Sequence, residues 1–189
     1  GAQLLPSLAV AGNGKFVIAW SGQGTNDAKG IFFQQFTANG DRMGSEQRAN
    51  TTTKGEQIQP AIAMDASGNF TIVWSGRGPQ DSSGIFLQRY SDAGVALGGE
   101  QLVNTTTSNS QQAPSIAMAP DGSSLVVWQS AKQDGDKQGV YAQQFDASGA
   151  KVGGELRVHA ERRPRVHDLG ARLQQHVAGG EQDVARAVA

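Results

Sequence analysis

The strongest constraint on this chain is a period. Pro6, Pro60 and Pro114 stand 54 residues apart, as do Gln3, Gln57 and Gln111 before them and Trp20, Trp74 and Trp128 after them. Every tryptophan in the protein therefore occupies one column of the repeat. Self-similarity at such a spacing marks an array in which a supersecondary unit, unable to bury its apolar face alone, stacks on the next copy. Three repeats span residues 1–53, 54–107 and 108–158, and residues 159–189 form a tail that does not repeat.

Turn chemistry divides each repeat. From proline to tryptophan run PSLAVAGNGKFVIAW, PAIAMDASGNFTIVW and PSIAMAPDGSSLVVW, two apolar segments flanking Asn13-Gly14, Ser67-Gly68 or Asp121-Gly122. Such dipeptides provide the positive φ of a tight hairpin, so the segments are expected as strands A and B. Proline opens strand A, where its missing N–H costs least. After a polar loop come GIFFQQFTANG, GIFLQRYSDAG and GVYAQQFDASG, which alternate with the period of a strand and end at a second glycine turn; these are strand C. RMGSEQRANTTT, VALGGEQLVNTTT and KVGGELRV supply a shorter, more polar strand D.

The expected fold class is all-β, with tandem four-stranded antiparallel repeats arranged as the blades of a β-propeller-like array. Three blades fall short of the usual minimum of about four, so self-association into a homo-oligomer, such as six blades from two copies, is expected to hide the sheet edges. One face of strand C carries Phe32, Gln34 and Phe36, matched by Phe86, Gln88 and Tyr90 and by Tyr141, Gln143 and Phe145. A glutamine held between aromatics is expected to be a core amide bonded to backbone, because buried amides need partners. The tryptophan column, ending an apolar strand, is expected to serve packing rather than as a stacking platform.

The pattern of a tryptophan, a polar loop with Gln133-Asp134-Gly135-Asp136, then Gly139-Val140-Tyr141 and Gln143-Gln144-Phe145-Asp146-Ala147-Ser148-Gly149 resembles repeats of large bacterial cell-surface and secreted proteins, often found beside hemolysin-type calcium-binding repeats. The resemblance covers residues 1–158. It implies export, a propeller-like fold and calcium, and it says little about activity.

Charge and composition work mainly by exclusion. Sixteen Lys and Arg oppose 17 Asp and Glu, and no basic cluster lies within the repeats, so the electrostatic footprint of a nucleic-acid binder is missing. No apolar run approaches the roughly 18 residues of a membrane span, and Gly1-Ala2-Gln3 lacks the charged and apolar regions of a signal peptide. With no cysteine, disulfides, thiolate chemistry and Cys-based zinc sites are excluded.

The tail breaks the pattern abruptly. Where Asn-Thr-Thr is due after Val158, the chain has His159-Ala160-Glu161, and the tail holds all three histidines and five of the ten arginines. One reading is reading-frame slippage or fusion. The other is a helix with Val166, Leu169, Leu173 and Val177 on one face and Gly179-Gly180 as its stop.

The B–C loops, SGQGTNDAKG, SGRGPQDSSG and QSAKQDGDKQG, are the recurrent polar sites, and each places one aspartate at a matching position: Asp27, Asp81 and Asp136. These three are the candidate ligand-binding residues, although a lone aspartate in a glycine-rich loop also serves as a turn former. Asp134 and Asp136 form a D-G-D pair, a candidate calcium site because calcium favours closely spaced carboxylates with nearby carbonyls. No nucleophile elbow or His-Glu zinc motif occurs, and His159, His167 and His176 match no triad or metal spacing. The expected role is a non-enzymatic repeat module of a bacterial surface or secreted protein, binding carbohydrate or protein ligands or acting as a scaffold. The alternative is a hydrolase of esterase or glycosidase type, with its site in the mouth formed by the B–C loops.

Overall fold

A computed structural model describes residues 1–133, 135 and 137–158. Asp134, Asp136 and the tail, with its slippage and helix readings, lie outside the described residues.

Twelve strands and no helix occupy the described residues, in three four-stranded antiparallel sheets. Blade 1 is β1 (Gln3–Val10), β2 (Phe16–Gly24), β3 (Asp27–Phe36) and β4 (Arg42–Arg48). Blade 2 is β5 (Gln57–Met64), β6 (Phe70–Gly78), β7 (Asp81–Tyr90) and β8 (Gln101–Leu102). Blade 3 is β9 (Gln111–Met118), β10 (Ser124–Ala131), β11 (Gln138–Phe145) and β12 (Lys151–Arg157). In each sheet the strands lie in chain order, as consecutive hairpins require. The expected all-β, propeller-like array of blades is the observed fold.

The A–B turns form where glycine allows the left-handed backbone: Gly14, Gly68 and Gly122 have φ of 82°, 87° and 89°. Their preceding side chains close the turn, as when Asp65 Oδ1 accepts from Ser67 N at 2.8 Å and Asn69 N at 2.9 Å.

Two features depart from the expected strands. The B–C segments of blades 1 and 2 are not open loops, because pairing continues to Gly24↔Asp27 and Gly78↔Asp81, leaving two-residue turns. Small Ser and Gly side chains have low strand preference alone, but a paired neighbour already fixes the backbone and extends the ladder. Strand D is also uneven: β8 keeps two residues, while β4 and β12 pair with a register shift. The strand C glutamine bonds this irregular backbone, as its place between aromatics suggests. Gln34 Nε2 donates to Met43 O at 3.1 Å, Gln88 Nε2 to Gly98 O at 3.2 Å and Gln143 Nε2 to Val152 O at 3.2 Å.

Blades pack face to face, and alternation along the strands decides which residues enter each seam. Between blades 1 and 2, Val17, Ala19, Ile31, Phe33 and Ala49 meet Phe70, Ile72, Trp74 and Tyr90. Phe33, Phe70 and Tyr90 form an aromatic group with ring centroids 4.6 to 5.4 Å apart. Between blades 2 and 3, Val73, Ile85, Leu87 and Val103 meet Val126, Trp128, Tyr141 and Phe145. Burying one such side chain stabilises by about 1.5–3 kcal/mol, which makes the seams the main source of cohesion. Trp74 and Trp128 are fully buried in seams, whereas Trp20 is half-buried on a flank of blade 1 that no other blade of this chain covers.

β1, β5 and β9 are the inner strands. Leu5, Gln59 and Ala113, equivalent in the repeat, have φ of 53°, 56° and 53°, each just before the repeated proline. Strand A slips its register beside each of them. With Pro6, Pro60 and Pro114 they line a shallow open depression with no ionisable side chain in its lining among the described residues.

Candidate functional site at the B–C end of the blades

At one end of the array the B–C turns and the connections from each strand D to the next strand A come together. Their anchor repeats. Asn50 lies on the connection from blade 1 to blade 2 and is 2% exposed. Its Oδ1 accepts from Ile31 N at 2.7 Å, and its Nδ2 donates to Asp27 Oδ2 at 2.7 Å and to Thr52 O at 2.9 Å. Asp27 Oδ1 also accepts from Lys29 N at 3.1 Å, closing the turn. Gln57, the first residue of β5, joins through its Oε1, 3.2 Å from Asn50 Nδ2, and its own Nε2 donates to Arg77 O at 2.9 Å.

Blade 2 repeats the arrangement. Asn104 Oδ1 accepts from Ile85 N at 2.7 Å, Asn104 Nδ2 donates to Asp81 Oδ2 at 2.8 Å, and Ser83 N donates to Asp81 Oδ1 at 2.9 Å. Asp27 and Asp81, marked by the sequence as ligand contacts, are 6% and 5% exposed, with both carboxylate oxygens engaged. They pin the B–C turns to the inter-blade connections. Asp136, their counterpart in blade 3, and Asp134, its partner in the candidate calcium pair, lie outside the described residues. Among the described residues no group of three or more His, Cys, Asp or Glu is placed to hold a metal ion.

Asn50, Asn104 and Gln57 escaped the sequence reading as site residues, although their signal was present in the repeated Asn-Thr-Thr and the glutamine column. Gly30 and Gly84 belong to the same unit. A Cβ at Gly30 would stand 2.5 Å from Asp27 Oδ2 and 3.0 Å from Asn50 Oδ1, and at Gly84 it would stand 2.7 Å from Asp81 Oδ2 and 3.0 Å from Asn104 Oδ1.

Two equivalent clefts open beside these anchors. The one between blades 1 and 2 has a volume of about 270 Å³ and is lined by Leu4, Ser21, Lys29, Glu56 and Ile58. The one between blades 2 and 3 has a volume of about 320 Å³ and is lined by Ile58, Ser75, Arg77, Ser83 and Ser110, with Glu56 again at its rim. Repeat positions change their chemistry here. Lys29 and Glu56 make an ion pair across the first seam, while their equivalents Ser83 and Ser110 share a 3.0 Å hydroxyl bond across the second. With both partners more than half exposed, that ion pair contributes at most about 1 kcal/mol. It does place the only carboxylate in the lining of either cleft among the described residues. Glu100 and Glu155, farther out, are tied to the connections: Glu100 Oε2 accepts from Thr51 N at 2.6 Å, and Glu155 Oε2 from Thr105 N at 2.8 Å.

No protein-family model and no curated protein sequence matches this chain, so the resemblance to surface-protein repeats gains no support from either. Solved structures do match. An endo-arabinase from Bacteroides thetaiotaomicron superposes with a TM-score of 0.53 at 16% identity over 82% of this chain and 62% of its own. A Hadza microbial sialidase gives a TM-score of 0.58 at 13% identity over 79% of this chain and 36% of its own. A GH43 endo-arabinanase from Bacillus licheniformis gives 0.50 at 18% identity over 85% of this chain and 60% of its own. The chain thus spans less than two thirds of the length of each. At such identities the fold is what is shared. The three names are nonetheless those of enzymes, and they overturn the expectation of a non-enzymatic binding or scaffolding module. Of the two readings made from the sequence, they favour the hydrolase alternative.

Proposed function

We propose that this chain is the blade array of a glycosidase, cleaving glycosidic bonds in a carbohydrate that lies across the B–C end. The observation that carries the proposal is the pair of equivalent clefts at that end, on a fold shared with an endo-arabinase, an endo-arabinanase and a sialidase. Clefts repeated along an array suit a substrate that is itself a chain of similar units. Their lining mixes hydroxyls of Ser21, Ser75 and Ser83 with the aliphatic faces of Leu4 and Ile58, the combination of hydrogen-bonding and apolar surface that a sugar ring presents in return.

Glu56 is the group we assign to proton transfer, because it alone brings a carboxylate to both clefts among the described residues. Lys29 and Arg77 then orient the substrate and balance its charge. Asp27 and Asp81 are positioning residues, acting through Asn50 and Asn104 on the turns that wall the clefts. Glycoside cleavage uses two carboxyl groups, about 5 Å apart for retention and about 6.5–9.5 Å for inversion, so a second one has to face Glu56 from across the groove.

The test is hydrolysis of arabinans, sialosides and aryl glycosides by the purified chain, followed by Glu56→Gln. Removal of an acid–base group should lower kcat by about 10²–10⁴-fold with little change in the melting temperature. An array that cleaves none of these substrates, or a Glu56→Gln variant with full activity, refutes the assignment.

A further inference from the structure

The two seams inside this chain show what covers each side of a blade, and among the described residues no further blade covers the remaining side of blade 1 or of blade 3. On blade 2, Phe70, Ile72, Trp74, Gln88 and Tyr90 are buried against blade 1. Their equivalents on blade 1 are Phe16, Ile18, Trp20, Gln34 and Phe36, and of these only Gln34 is fully buried. They keep the arrangement of the buried set: Phe16 stacks on Phe36 at 4.9 Å, as Phe70 stacks on Tyr90 at 5.1 Å. A cavity of about 300 Å³, lined by Ile18, Trp20, Gln34, Phe36, Arg42 and Glu46, marks the place where the preceding blade would lie.

The complementary side is on blade 3. In the seams, the covering face comes from Val17, Ala19, Ile31, Phe33 and Ala49 of blade 1 and from Thr71, Val73, Ile85, Leu87 and Val103 of blade 2. The same repeat positions on blade 3 carry Leu125, Val127, Val140, Ala142 and Val158. Leu125 is 41% exposed and Val158 57% exposed, although Val103, the equivalent of Val158, is fully buried. A polar contact crosses each seam at the outer turn as well. Gln35 Nε2 donates to Asp92 O at 2.9 Å between blades 1 and 2, and Arg89 Nη2 donates to Ala147 O at 2.7 Å between blades 2 and 3. The next members of these columns are Gln144, which is exposed, and the carbonyl of Ala38 on blade 1.

We propose that blade 3 of one molecule docks on the open flank of blade 1 of a second copy, head to tail, forming a third seam of the kind already present twice. A face and its partner carried on opposite flanks of one chain make a heterologous contact, which closes into a ring or extends, unlike a two-fold contact of a surface with itself.

Sedimentation equilibrium of the whole chain tests this directly and is independent of any hydrolytic activity. The wild type should associate reversibly in the micromolar range. Leu125→Glu with Val158→Glu alters only exposed side chains and should weaken association at least tenfold, with the circular dichroism spectrum and melting temperature retained. Ile18→Lys on the opposite flank should do the same. Mixing the two variants should restore association, because the intact blade 1 flank of one meets the intact blade 3 flank of the other. A wild type that stays monomeric at 100-fold higher concentration overturns the proposal. So does a Leu125→Glu/Val158→Glu variant that still dimerises by itself, since that result means two blade 1 flanks meet each other.

Discussion

Replacing Asn50 by alanine should be among the most damaging small substitutions in this protein, and the structure gives the size of the effect. The side chain is buried and ties together Ile31 N, Asp27, Thr52 O and Gln57. Its removal orphans Ile31 N–H, in a residue with no solvent exposure, at a cost of about 1–3 kcal/mol. It also strips Asp27 Oδ2 of its 2.7 Å donor, and a hydrogen bond to a charged group is worth about 1.5–3 kcal/mol. Allowing for some entry of water, the variant should lose about 3–5 kcal/mol, a large share of the roughly 5–15 kcal/mol that holds a typical domain folded. Asp27→Ala leaves Asn50 bonded to Ile31 N and Thr52 O, so it should cost only about 1–2 kcal/mol. In the double variant the charge is absent, and the coupling between the two sites should be about 1.5–3 kcal/mol. Urea unfolding followed by tryptophan fluorescence measures all four corners of the cycle, and Asn104→Ala in blade 2 repeats the experiment on the same geometry. An Asn50→Ala loss below about 1 kcal/mol, or strictly additive variants, would show that the repeated Asp–Asn pair is incidental to stability.

Trp74→Ala should cost about 3–5 kcal/mol because the ring is fully buried in a seam, whereas Trp20→Ala, in the same column but half-buried, should cost less than about half of that in dilute urea titrations. Asp146 is held below the usual carboxylate range by the Ser148 hydroxyl first and then by Ala150 N–H, so its stabilising effect is complete above its ordinary value of 3.8 and fades as pH falls through the lowered one. The gap in melting temperature between wild type and Asp146→Ala should therefore be present at pH 7 and close by about pH 2. Burial, reinforced by Glu100, pushes the Tyr90 phenol upward from 10.0, so stability is intact below that pH and is lost as pH rises beyond it. Tyr90→Phe should remove that alkaline loss in thermal melts taken from pH 9 to 11.

The chain states its period, its strands and its turns locally. Asn13-Gly14, Ser67-Gly68 and Asp121-Gly122 mark hairpins because backbone sterics at one or two residues decide them, and the alternation of strand C shows two faces without reference to any other part of the molecule. The role of Gln34, Gln88 and Gln143 was legible for the same reason: an amide between two aromatics has to find backbone. What remained hidden was everything set by register between distant segments. Asp27 and Asp81 look like surface ligands in a polar loop, but pairing carries the strands through that loop and an asparagine 23 residues later closes over the carboxylate. Glu56 is one acid among 17 in the sequence, and only the meeting of two blades gives it a place in two clefts. Three tryptophans identical in sequence position differ in burial because burial depends on whether a neighbouring blade is there, which is a property of the array and not of the residue.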